Sequence, residues 1–435
     1  MTQYSAEVQR FGLAKESVRG TAESAPTKWY PTRGRVEMDY KRTHIEDKGL
    51  RGIQAQMPPV KGPKRGDGKI PIYLDSQMIS EFLYSLLGGL TSAEQSVVTI
   101  SAANKYLDFN IGATELTATV AEAAYPIGTA HTQAGTLCKA IHDAIVAAEA
   151  AGTYTVSYSR TTKKFTIARS AGTFELMLKT GTHGSDNADD HIGTALGYAD
   201  TADLTGAITY TGTVNVEYAF KHTFVSSGIS KPSYTYFVDR SMDIMAYALV
   251  VAKKLSMKSS HDNLVEPELE VLFKSEATGA IGSPSFPTQK YLGFNLVDFK
   301  IAGTSNTDVK EWELSIDNGA KPYQTLALSE DITDIVAPDP LKISGSFLIY
   351  FTSITERNKF LNNTSVALRM LIAGDTISGT FKHSVDINIY DARYKAFPYG
   401  EDIGLLAAKA SFEGFYSVSD SKDIQIDVIN QEASY

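Results

Sequence analysis

The sequence predicts a mainly β fold: two tandem lobes, each with a short helix, and a small α+β domain inserted into the first. Three observations carry this expectation. Runs of strictly alternating apolar and polar residues recur through the second half. The stretch GKIPIYLDS at 68–76 is echoed by GSFLIYFTS at 345–353. Residues 95–213 change abruptly in composition, becoming rich in Ala, Thr and Gly and poor in Pro.

Bulk composition bounds the answer. A length of 435 residues suits two or three domains at roughly 150 residues each. With 43% hydrophobic and 21% charged residues the chain can fill real cores and is not a disordered one. Its formal net charge of −9 argues against a tight grip on nucleic acid, which needs basic patches on phosphate. Cys138 is the single cysteine, which excludes an intrachain disulfide and a thiolate metal cage. The opening MTQYSAEVQRFGLAKE has no apolar h-region, and no stretch approaches the roughly 18 apolar residues of a spanning helix. A soluble protein made in the cytoplasm, without a membrane partner, is expected.

The first lobe starts at residues 1–94. After the buried strand IPIY comes LDSQMISEFLYSLLGG, where Met78, Ile79, Phe82, Leu83 and Leu86 fall at helical spacing and Gly88 supplies a stop. The inserted domain follows at 95–213. There TQAGTLCKAIHDAIVAAEAAG reads as one helix, with Leu137, Ile141, Ile145 and Ala148 as its stripe and Gly152 as its end. TYTVSYSRTTKKFTIAR reads as a hairpin with Tyr154, Val156 and Tyr158 facing Phe165 and Ile167. Strands in VEYAF, SYTYFV and LEVLF complete the first lobe over 214–292.

The second lobe occupies 293–435. EWELSID alternates Trp312, Leu314 and Ile316 with Glu311, Glu313 and Asp317; SVDINIYD and DIQIDVIN repeat the pattern. FLIYF at 347–351 is continuously apolar, so both of its faces should be covered. In the helix that follows, Ser353 and Glu356 have capping-box spacing, and Phe360 and Leu361 form the apolar stripe. The echo aligns Ile72-Tyr73 with Ile349-Tyr350 and Ser76 with Ser353, and a Pro-containing loop precedes each copy. Internal duplication is the reading that accounts for the shared order of elements.

No catalytic or cofactor constellation emerges. GPKRGDGK at 62–69 has the wrong spacing for a phosphate loop and precedes a strand, and turn chemistry accounts for its RGD (Arg65–Asp67). HGSDNADDH (His183–His191) lacks alternating calcium ligands and reads as a solvated loop. Cys138 and His142 are four apart on a helix, within reach of one another, but a small core cysteine is the better reading. Glu311 and Glu313 share a strand face without a pocket. No enzyme activity, cofactor or metal is expected.

The segment EVQRFGLAKESVRGTAESAPTKWYP resembles the start of tail tube proteins of long-tailed phages, a GT followed by an aromatic-Pro strand. GKIPIYLDSQMISEFLYSLLGG and VDFKIAGTSNTDVKEWELSIDNG are similar to the same family, and the resemblance spans roughly residues 6–92 and 216–430. The inserted segment resembles a small module of phage structural proteins. The resemblance implies two tandem tube lobes, each a β-sandwich or half-barrel plus a helix, whose sheets join between subunits. It implies a virion protein of a flexible, non-contractile, siphovirus-like tail. Two lobes per chain would close a sixfold-like ring as a trimer; rings would stack into a tube that DNA passes without specific binding. Partners would be further copies of the chain, a tape measure protein, and tail terminator and tip proteins. The inserted domain would project outward. An alternative is a discrete virion or cell-surface protein that uses this domain to contact a host glycan or receptor.

Charge suggests two surfaces. Between residues 39 and 69, Lys41, Arg42, Lys48, Arg51, Lys61, Lys64, Arg65 and Lys69 outweigh Asp39, Glu46, Asp47 and Asp67, while residues 399–435 are acidic. All of these bases but Lys69 are candidate inter-ring contacts against such an acidic segment. Glu311, Glu313 and Asp317 are candidate lumen residues, whose charge would repel DNA phosphate.

Overall fold

Alternation builds the main sheet. From Val309 to Asp317 the side chains of Trp312, Leu314 and Ile316 are buried, while Glu311, Glu313 and Asp317 stand on the other face, as a two-residue repeat requires. The computed structural model of the protein describes residues 9–46, 58–241, 243–280, 282, 284–326 and 329–435.

Among these residues, 19 strands join in one sheet. Its first part contains β1 (Arg10–Lys15), β2 (Lys28–Tyr30), β3 (Glu37–Ile45), β4 (Val60–Pro71), β5 (Gly88–Glu94), β6 (Phe220–Ser226), β7 (Tyr234–Asp239), β8 (Ile244–Ser259), β9 (Glu266–Phe273) and β10 (Ser275–Thr278). The second contains β11 (Val297–Ile301), β12 (Thr304–Ser305), β13 (Val309–Asp317), β14 (Lys342–Tyr350), β15 (Val366–Ser378), β16 (Phe381–Ala396), β17 (Tyr399–Asp402), β18 (Leu405–Phe415) and β19 (Ile424–Asn430). Helices α1 (Ile79–Leu87), α2 (Leu137–Ala148) and α3 (Thr355–Leu361) accompany them.

The two parts repeat one pattern. Hydrogen-bonded order in the first is β2-β1-β7-β8-β9-β4-β3. In the second it is β12-β11-β15-β16-β18-β14-β13. Corresponding strands also follow one another in the same chain order, with α1 after β4 and α3 after β14. Even an irregularity coincides. The β8–β9 register shifts between Ala252 and Lys254, and the β16–β18 register shifts between Tyr394 and Ala396.

The repeated Gly of the echo has a steric cause in both places. A Cβ on Gly68 would lie 2.4 Å from the sulfur of Met38, and one on Gly345 would lie 2.5 Å from the Phe412 ring. Ile72 and Ile349 are buried, and Tyr73 and Tyr350 half-buried. FLIYF is therefore not covered on both faces. Phe347 and Ile349 point into the core, whereas Leu348 and Tyr350 are only half-buried, and the Tyr350 hydroxyl donates to Asp402 at 2.6 Å.

The long strand β8 ties the parts together. Its first half pairs with β7, and Lys254–Ser259 pairs with β13 of the second part. The hydrophobic core runs without interruption from Phe11 to Val428 beneath this sheet. Helix α1 is its centre. Phe82 is fully buried, with the rings of Phe11, Tyr30 and Tyr236 about it at 6.2–6.5 Å. Gly88, at φ 85°, ends the helix as expected. The orphan carbonyls there are met by side chains: Lys231 Nζ donates to Leu87 at 2.9 Å, and Asn318 Nδ2 donates to Leu86 at 2.9 Å and to Ala252 at 2.8 Å.

Helix α3 departs from expectation. Glu356 does not close a capping box; its carboxylate accepts from Tyr394 at 2.7 Å and from Lys359 at 2.6 Å, and the N-cap position, Ile354, makes no side-chain cap. Leu361 is 59% exposed, so only Phe360 of the expected stripe packs on the core.

A second core, separate from the first, is built from residues between Val97 and Phe220 with Ala433 against it. Thr136 caps α2, its hydroxyl accepting from the Lys139 N–H at 3.4 Å. The helix ends at Glu149, in extended conformation, rather than at Gly152. The Glu149 carboxylate instead accepts the Tyr154 hydroxyl at 2.6 Å, which turns the chain into the hairpin. There Val156 faces Ile167 and Tyr158 faces Phe165, as the alternation predicts. No helix among the described residues is long and apolar enough to cross a membrane.

This packing makes two outcomes testable. Phe82→Ala should cost about 3–5 kcal/mol, measured by chemical denaturation. Burial holds the imidazoles of His222 and His383 below their ordinary pKa. The unfolded chain then takes up protons that the folded chain refuses. Their stabilising contribution is full above about pH 6.5 and is lost as pH falls below it. Thermal melts between pH 7.5 and 5.5 should show that fall, and the slope should flatten in a His222→Gln/His383→Gln double variant.

Candidate assembly surface and lumen face

Because β3, β4, β9, β8 and β13 lie side by side, their outward residues form one polar face. Glu311, Glu313 and Asp317 share it, as the alternation predicts. They are not alone there. Across the β8–β13 junction the register sets Lys254 against Asp317 and Lys258 against Glu313. The same two lysines pair on their other side with β9, Lys254 to Glu270 at 3.3 Å and Lys258 to Glu266 at 2.9 Å. A row of lysines thus lies between two rows of carboxylates. Further along, Lys69 reaches Glu268 at 3.7 Å and Lys41 reaches Asp67 at 3.0 Å. In the second part Lys395 meets Glu413 at 2.8 Å.

Interleaving of this kind offers a phosphate chain no continuous basic rail. Individual pairs at such exposure stabilise little. Their effect is to cancel charge along the face. The face is therefore less purely acidic than Glu311, Glu313 and Asp317 alone suggest, and the lysines of β8 were missed at the sequence level. A strand such as AKKLSMKS shows its alternation, but its neighbours are set by pairing with residues far along the chain.

The candidate basic set divides. Lys41 lies on the polar face, and its hydrogen bond to Asp67 raises its pKa. Arg65 is exposed on the same side of β4, and Lys61 is exposed near the end of the β3–β4 ladder. Arg42 and Lys64 point the other way and converge on Glu330, at 2.7 and 3.3 Å. The Lys64 N–H also donates to the Glu330 carbonyl at 2.8 Å. Lys48 and Arg51 lie outside the described residues. The acidic segment 399–435 is likewise partly engaged within the chain: Asp402 with Lys310, Asp427 with Lys221, and Glu432 with Lys28.

The remaining motifs have local explanations. RGD is not a turn; Arg65–Asp67 runs through the middle of β4. Its glycine is steric in origin, since a Cβ on Gly66 would sit 2.1 Å from the Phe273 ring, which Tyr40 stacks against. In the 183–191 loop, His183 Nδ1 lies 3.0 Å from the buried Asp108 and its ring stacks on Tyr106. Among the described residues no three His, Cys, Asp or Glu side chains group as a metal site. Burial pushes the Cys138 thiol up to about 12; its sulfur faces the Gly128 carbonyl at 3.8 Å, while His142 stacks on His131.

With the geometry in place, the comparison with known proteins is direct. Residues 7–414 match the family model described as phage tail tube protein, and the chain belongs to that family. No curated protein matches the chain.

Gly66→Ala should destabilise the protein by about 1–3 kcal/mol, because the new methyl must displace the Phe273 ring. Urea denaturation of the purified variant checks this.

Proposed function

We propose that this tail tube protein assembles as a trimeric, pseudo-hexameric ring, and that stacked rings form the conduit through which phage DNA leaves the virion. The single observation that carries the reading is the sheet itself. One chain holds two copies of the same strand order, joined edge to edge by β8 and β13. A chain of two equivalent lobes that join in one direction supplies two of six positions, and three chains close the ring. Closure removes the open sheet edges that would otherwise template aggregation.

On this reading the polar face lines the bore. Its interleaved charges let DNA pass without adhesion, and Glu311, Glu313 and Asp317 contribute the repulsive element. The segment 95–213 hangs on the β5–β6 ribbon and projects outward, since a module with its own core would obstruct the channel. Lys61, exposed near the end of the β3–β4 ladder, remains available for ring-on-ring contact; Lys41 and Arg65 lie on the face read as the bore lining, and Arg42 and Lys64 are committed to Glu330. The tape measure protein, the tail terminator and the tip proteins are the expected partners inside and at the ends of the tube, in a siphovirus-like virion.

Electron microscopy of the purified protein over a concentration series, with mass photometry on the same samples, tests this. The expected outcome is particles of three-chain mass, threefold rings and tubes with regular outward projections. Monomers at every concentration would overturn the reading and favour a discrete protein that binds a host surface through the inserted module.

A further inference from the structure

The junction inside the chain has an open counterpart at each end of the sheet. Strand equivalence follows from pairing. Gly68 pairs with Met38 on one side and with Val271 on the other, and Val271 with Ala252. Gly345 pairs with Leu314 and Phe412, and Phe412 with Tyr394. Met38 thus corresponds to Leu314, Tyr40 to Ile316, and Ala252 to Tyr394. Carried past the shared register shift, Leu255 corresponds to Phe397 and Met257 to Tyr399.

Within the chain, Leu255 and Met257 pair with Ile316 and Leu314 of β13 and are buried. Their counterparts have no such neighbour. Residues 396–402 continue the β16 ladder along β18, from Ala396 against Ser411 to Tyr399 against Ala408. Among the described residues, the ladder of β17 is with β18 and that of β3 is with β4. Tyr399 records the missing partner, 46% exposed against 2% for Met257, with Ile403, Leu405 and Leu406 exposed beside it, whereas Phe397 is already buried beside the rings of Tyr394 and Tyr399.

We propose that β3 of one copy pairs antiparallel with residues 396–400 of a second copy, Tyr40 opposite Phe397 and Met38 opposite Tyr399, repeating the β13–β8 junction between molecules. This rests on the ring reading above and specifies its contact. The occupant is another copy because the register, the apolar residues and the position in the sheet are those of a junction the chain already makes. Pro398 fits the role. Its carbonyl accepts the Lys409 N–H at 3.3 Å, so its missing donor faces β18, and Phe397 and Tyr399 serve the open edge. On the other strand, the Gln9 side chain already bonds the Val36 N–H at 2.8 Å and its carbonyl at 3.3 Å. Gln9 therefore limits the pairing to the stretch that begins after Val36.

The register sets Asp39 opposite Pro398 as a non-hydrogen-bonded pair, the close kind that a disulfide can bridge, and both are exposed. The test is oxidation of the full-length Asp39→Cys/Pro398→Cys variant at concentrations where wild type forms rings. Cys138 is buried and does not compete. Covalent dimers and closed trimers should appear on non-reducing gels. Each single variant should stay monomeric on the gel, as should Asp39→Cys/Tyr399→Cys, whose thiols face opposite sides of the sheet. Glu37→Cys/Gly400→Cys is the second variant at the same register, should the first fail to fold by circular dichroism. Rings without these cross-links would overturn the contact and leave the ring intact. Absence of rings in wild type would overturn both.

Discussion

Everything in this structure depends on one strand serving two masters. β8 gives its first half to β7 and its second half to β13, so the two repeated parts share backbone hydrogen bonds rather than merely touching. A contact made through a ladder fixes position along the strand to a single residue, because a slip of one would turn every side chain to the wrong face. The core beneath can then be continuous, and it is. Asn318 strengthens the same seam, since a side chain from the second part satisfies carbonyls of α1 and β8 in the first. Leaving those buried acceptors unpaired would be costly.

A repeated unit that joins its own copy edge to edge has a directional contact, and directional contacts propagate. The chain makes that contact once internally, and among the described residues the two equivalent edges, on β3 and β17, are each paired on one side only; the proposed ring rests on this more than on any surface charge. Charge on the polar face works at a different level. Alternating lysine and carboxylate rows cancel along the strands, giving a surface without a continuous basic rail for phosphate.

The two copies have also diverged in structure. α1 is sunk in aromatic rings and capped by Lys231 and Asn318, whereas α3 is a short surface helix with no fully buried residue. Between α1 and β7 the first copy carries the β5–β6 ribbon, which pairs with β19 and leads to the second core. Arg160 of that module reaches back to Glu94 at 3.1 Å and lies over the Phe220 ring, so the ribbon and the module are held together by more than their chain connections.

Sequence by itself determined the local facts: the alternation of β13 and β19, the helix over 79–87 with its Gly88 stop, the hairpin at 154–169, and the echo of GKIPIY in GSFLIY. Each of these is set by neighbours a few residues away, where periodicity and turn chemistry act. The tertiary structure decided the rest. Only long-range pairing shows that Gly66, Gly68 and Gly345 are glycines because Phe273, Met38 and Phe412 need their space. Only it splits the basic residues of β3 and β4 between two faces, draws Glu356 away from its cap to Tyr394, and sets the β8 lysines between carboxylate rows. Strand partners are chosen by registers that close over tens to hundreds of residues, and no local pattern encodes which edge meets which.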